Sequence, residues 1–131
     1  MAWASFSAFS CSCVEPGTPQ EQLEWADAVF SGKVIDVVVP GGIVISTADP
    51  VKVTFEVSNF WKGSDDETLI VTTERDGSSC GYSFEEGESY LVYAYTDEND
   101  DLHANICSRT ALLSDAEYDL AKLGNGFVPT T

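Results

Sequence analysis

Positive charge is scarce in this chain: Lys and Arg number 6 against 22 Asp and Glu, for a net charge of −16. A surface of that sign repels phosphate backbones and anionic headgroups, so nucleic acid and anionic membranes are not expected partners. No run of about eighteen apolar residues occurs, so no helical membrane span is expected. Histidine is reduced to His103 alone, which leaves no partner for a Ser–His or Cys–His catalytic pair. The cysteines are Cys11, Cys13, Cys80 and Cys107. They offer one Cys-x-Cys, but neither the Cys-x-x-Cys of a redox site nor the short Cys and His pairs of a structural zinc site. The expectation is a protein that is not an enzyme, with no cofactor and no metal of its own.

The acidity has two readings. A solvated anionic shell that keeps a protein soluble is the commoner use of such charge. The sharper one is a partner with a basic face or a bound cation.

What is present fits one small domain. The 131 residues are 44% hydrophobic and 11% aromatic, enough for an ordinary core. An even cysteine count in a chain of this size points to disulfides and an oxidising compartment, so the protein is expected to be secreted or at the cell surface. Residues 1–10 stand apart. Ala8 and Ser10 occupy the −3 and −1 positions before Cys11, as a signal peptidase requires. This segment is taken as a signal-peptide remnant or leader, residues 11–123 as the domain, and residues 124–131 as a flexible tail. A lipidated Cys11 is disfavoured because Ala8 stands where that signal carries Leu.

Thr18-Pro19-Gln20-Glu21 reads as a capping box with proline at the first helical position, opening a short helix with Leu23 and Trp25. Residues 28–39 are rich in β-branched and aromatic types, with Gly32 as a bulge or close-approach point. Pro40-Gly41-Gly42 breaks this strand and Ile43-Val44-Ile45 restarts one. From residue 51, Val51, Val53, Phe55 and Val57 alternate with Lys52, Thr54, Glu56 and Ser58, the pattern of a half-buried strand. Further strands are expected at Leu69–Thr73, Ser89–Thr96 and Leu102–Cys107. Ser114-Asp115-Ala116-Glu117 reads as a second capping box, opening a helix that Gly124 stops. Five or six short strands with a short helix at each end predict a mainly β fold, a small OB-fold-like barrel, with a sandwich as the alternative.

Other candidate groups carry bland readings. Asp97, Asn99 and Asp101 alternate like a calcium loop, but Leu102 stands where the glycine belongs and Ser108 where the closing Glu belongs, so a solvated hairpin turn is expected. Glu85, Glu86 and Glu88 surround Gly87, as in a turn entering a strand. Trp61 and Phe60 are expected to pack on the barrel.

The order of features resembles the N-terminal, netrin-like domain of tissue inhibitors of metalloproteinases. The residues that carry the likeness are Cys11-Ser12-Cys13, Pro19-Gln20, Gly32-Lys33-Val34, Cys80, Tyr90-Leu91, Leu102-His103, Cys107 and the helix within Leu113 to Leu123. The resemblance implies bridges Cys11–Cys80 and Cys13–Cys107. It lacks the family's third bridge: no cysteine lies near Leu23-Glu24-Trp25, where Leu23 and Trp25 are expected to pack instead.

The resemblance also implies a mechanism. A mature chain beginning at Cys11 would chelate a target protease's zinc through its α-amino nitrogen and carbonyl oxygen. Ser12 would enter the pocket beside the metal, and Cys13, Val14, Glu15 and Pro16 would lie along the substrate groove. An open zinc position and an amine with a reference pKa of about 7.7–8.0 suit each other. The expected partner is an extracellular zinc metalloprotease met by a monomer, provided residues 1–10 are removed. The alternative is a netrin-like protein-binding or adhesion module in which Cys11-Ser12-Cys13 serves only as a staple.

Overall fold

The computed structural model describes residues 13, 15–39, 50–74 and 80–130. The expected restart at Ile43-Val44-Ile45 lies outside them. In chain order the elements are helix α1 (Pro19–Trp25), strands β1 (Ala28–Val38), β2 (Val51–Lys62), β3 (Thr68–Thr73), β4 (Ser89–Thr96), β5 (Leu102–His103) and β6 (Ala111–Leu112), and helix α2 (Glu117–Leu123) after a 3-10 turn at Leu113–Asp115.

The strands close on themselves. The order β1-β2-β3-β5-β4 returns to β1 through a β1–β4 pairing, and β6 adds to the outside of β4. All pairs are antiparallel except β3–β5. This is a five-stranded OB-fold-like barrel with one extra strand, and the sandwich alternative falls away.

Closure depends on β1 serving two partners. Its register with β2 shifts at Val29/Phe30, Ser31/Gly32 and Val34/Asp36. Bulges of this kind raise the local twist and let a strand bend from one neighbour to the next. Gly32 sits where a Cβ would lie 2.8 Å from the Glu56 carbonyl oxygen, so the backbones of β1 and β2 approach there as only glycine permits.

Two hydrophobic clusters result. Inside the barrel, Phe30, Val34, Val53, Phe55, Val71, Phe84, Tyr90 and Val92 pack together. Phe55 is central, with ring centroids 5.2 Å from Phe30, 5.3 Å from Phe84 and 6.4 Å from Tyr90, all edge-to-face. On the outside of β1 and β4, Val29, Leu91 and Tyr93 meet Ala26, Ala116 and the partly buried Leu23, Trp61, Leu120 and Leu123. Alternation along β4 feeds both clusters, with Tyr90, Val92 and Ala94 turned inward and Leu91 and Tyr93 turned towards the helices. This explains why that strand reads as a continuous apolar run.

The first helix start is as expected. Thr18 accepts from the Glu21 amide, Glu21 accepts from the Thr18 amide, and Pro19 opens the helix. The second differs: Ala116 is the N-cap of α2 and no side chain caps it. Ser114 is wound into the 3-10 turn, and the acidic residue three places after the cap, Asp119, faces Arg109 instead. The expected strand Leu102–Cys107 stops after His103, because the Asn105 side chain accepts from the Cys107 amide at 2.8 Å and turns the chain.

Residues 124–130, expected as a tail, make hydrogen bonds to β2 and to the turn that follows it. Phe127 exchanges two 2.8 Å backbone hydrogen bonds with Phe60, Trp61 Nε1 donates to the Gly124 carbonyl at 2.9 Å, and Thr130 donates to Asp65 at 3.0 Å. Trp61 and Phe60 therefore pack on the barrel and also anchor the chain after α2.

Candidate functional site

The expected contact residues are Cys11, Ser12, Cys13, Val14, Glu15 and Pro16. Cys11, Ser12 and Val14 lie outside the described residues. Cys13, Glu15 and Pro16 form an approach to α1 that runs along the barrel surface, with Cys13 and Glu15 exposed.

Cys13 is bonded to Cys107 with a Cα–Cα distance of 5.2 Å and a sequence separation of 94. Closing a loop of that length contributes about 4–5 kcal/mol in the chain-entropy description. Cys80 is also disulfide-bonded, and its expected partner Cys11 lies outside the described residues. The Cys80 and Cys107 sulfurs are 3.9 Å apart, so the two bridges lie side by side. The surrounding backbone is fixed as well. The Ile106 amide donates to the Cys80 carbonyl at 3.0 Å, and Gly81 bridges Asn105.

Beyond Cys13 the segment is held by two polar networks that arise in the cluster between barrel and helices. In one, Gln22 Nε2 donates to the Pro16 carbonyl at 2.6 Å while Gln22 Oε1 accepts from the Tyr95 hydroxyl. In the other, Arg109 Nη1 donates to the Gly17 carbonyl at 3.1 Å. Its Nε and Nη2 reach the two Asp119 oxygens at 2.8 and 2.7 Å, a bidentate pair. Tyr93 adds a 2.8 Å hydrogen bond from its hydroxyl to Asp119. Burial, then the Asp119 contact, pushes the Tyr93 phenol well above its ordinary range. The hydrogen bonds to Asp119 hold the Arg109 guanidinium charged even more firmly than usual. Two successive carbonyls, Pro16 and Gly17, are thus fixed by side chains anchored in the fold.

Sequence pattern does not mark these five residues. Gln22, Tyr93, Tyr95 and Asp119 carry no motif. Arg109 carried one usable signal, its rarity as a cation in a chain with 6 Lys and Arg.

The outer side of the segment borders a notch of about 240 Å³, lined by Glu15, Pro16, Trp25, Tyr95, Asn105 and Cys107 among others. Trp25 was expected to fill the place of the absent third bridge. Leu23 does pack inward, but Trp25 is 54% exposed and its ring lies against Gly17 at the side of the notch.

The remaining candidates stay apart from the segment. Asp97 Oδ1 accepts from the amides of Asn99 and Asp101, forming the expected turn. Glu86 and Gly87 make the turn before β4, and His103 Nδ1 lies 2.9 Å from the Thr72 hydroxyl. Among the described residues no helix is long and apolar enough to cross a membrane.

Fold and segment together define a disulfide-stapled OB-fold-like barrel whose chain enters along its outer surface. The chain matches no family model and no curated protein sequence.

Proposed function

We propose that the chain is a secreted inhibitor of zinc metalloproteases that works through the segment beginning at Cys11. The observation that carries this reading is the Cys13–Cys107 bridge, set beside a second bridge at Cys80 and followed by two clamped carbonyls. A free peptide loses conformational freedom when it settles into a protease groove; a segment held beforehand has less to lose. Paired disulfides also fit an oxidising, extracellular setting.

In this reading the Cys11 amine and carbonyl chelate the target's zinc at its open position, Ser12 enters the adjacent pocket, and Cys13, Val14, Glu15 and Pro16 follow the groove. The role of Cys11 comes from its resemblance to the metalloproteinase-inhibitor family. The amine has to be free, because an amide nitrogen is no zinc ligand of this kind. Protein starting at Cys11 is expected to inhibit members of a panel of extracellular zinc endopeptidases, while protein starting at Met1 leaves them active. If neither form inhibits, the chelation reading fails. The same barrel then stands as a netrin-like protein-binding module with its cysteines as staples.

A further inference from the structure

We infer that the notch beside the N-terminal segment is a docking site for a basic side chain, an arginine presented by a protein partner's loop. It deepens the partner reading above, yet needs no free Cys11 amine. The notch has the parts such a guest requires. Trp25 presents an exposed indole at its side, and Pro16, Tyr95 and the Cys13–Cys107 bridge supply apolar walls. Glu15 and Asn105 supply polar acceptors at its lining. A guanidinium lies flat on an aromatic face, buries its stem against apolar walls, and gives its N–H groups to a carboxylate.

Charge complementarity selects this guest over an apolar one. The chain carries 22 acidic residues against 6 basic ones, and no Lys or Arg is among the described residues lining the notch. Two described cations are committed elsewhere, Arg109 to Asp119 and Lys62 Nζ to the carbonyls of Leu23 and Glu24. A partner's loop bearing arginine is drawn to such a surface before it is seated.

The test uses fluorescent hexa-arginine and hexa-lysine peptides with the full chain, read by anisotropy at physiological salt. Both peptides carry the same charge, so diffuse attraction cancels in their ratio. Stacking on Trp25 gives arginine a preference of roughly fivefold. That preference is expected to collapse towards unity in Trp25→Ala and to persist in Trp25→Phe, which keeps a ring. Glu15→Gln is expected to weaken hexa-arginine more than Glu117→Gln, a carboxylate on α2 that does not line the notch. Equal binding of the two peptides by the parent protein overturns the inference. So does an arginine preference that survives Trp25→Ala, which would place it on scattered surface carboxylates. A neutral proline-rich peptide binding as well as hexa-arginine would assign the notch to an apolar segment and overturn it too. Because the peptides contain no zinc, failure here leaves the inhibition assay to be judged separately.

Discussion

Asp119→Ala is the substitution that reports most fully on how the N-terminal segment is held. Asp119 is 6% exposed and accepts three hydrogen bonds, two from Arg109 and one from the Tyr93 hydroxyl. Alanine strands both donors. Removing one partner of a fully buried ion pair costs about 3–5 kcal/mol, and an unsatisfied buried hydroxyl costs about 1–3 kcal/mol. The Arg109 side chain is 27% exposed, so water recovers part of the charge term. The net expectation is a loss of about 3 kcal/mol after that discount. With an unfolding entropy of about 2 cal/mol/K per residue, this lowers the Tm by roughly 10 °C. Urea titration and calorimetry, both with the disulfides intact, measure it.

The same variant should loosen the hold on Gly17, so hydrogen exchange in the peptide spanning residues 15–18 should rise more than in β2. Pairing Asp119→Leu with Arg109→Leu should recover much of the loss, because no charge is then left unpaired. A loss below about 1 kcal/mol for Asp119→Ala would refute the reasoning and class the pair with exposed surface bridges.

Phe55→Ala removes the ring at the centre of the barrel and should cost about 3–5 kcal/mol in denaturant unfolding. Gly32→Ala forces a methyl to within 2.8 Å of the Glu56 carbonyl and should cost about 1–3 kcal/mol by the same assay. Alkali should unfold the protein cooperatively. Burial raises the phenols of Tyr82, Tyr90, Tyr93 and Tyr95 above the ordinary value of 10.0. The folded state therefore keeps these protons longer than the unfolded one. The stability they contribute is whole below pH of about 10 and drains away as the pH rises beyond it. Tyrosinate absorbance from these rings should accordingly appear together with the loss of circular dichroism.

The barrel was legible in the sequence where local pattern and tertiary packing agree. The alternation from Val51 to Ser58 matches one buried and one exposed face of β2. The Thr18–Glu21 box forms because both of its side chains are free to turn back on the backbone. Ser114 and Glu117 carry the same signature without the same result. There the chain is bound by Arg109 and Tyr93 through Asp119, and that long-range network sets where α2 begins. Residues 124–130 look like a frayed ending until Phe60 and Trp61, more than sixty positions earlier, provide a hydrogen-bonding edge. The candidate segment was legible through its cysteines, and the Cys13–Cys107 pairing is the one the family resemblance implied. The clamps on Pro16 and Gly17 were not, because glutamine, tyrosine and arginine acquire those roles only when the barrel brings β4 and the turn before β6 beside the chain's entry.

Whether the Cys11 amine reaches a partner's metal is tested most directly with an endopeptidase that the protein inhibits, its zinc exchanged for cobalt(II). Adding protein that starts at Cys11 should change the cobalt d–d absorption as nitrogen and oxygen replace the bound water, while the same protein with an acetylated amine leaves the spectrum unchanged. Inhibition with no change in the cobalt spectrum would contradict chelation and place the segment in the groove without touching the metal.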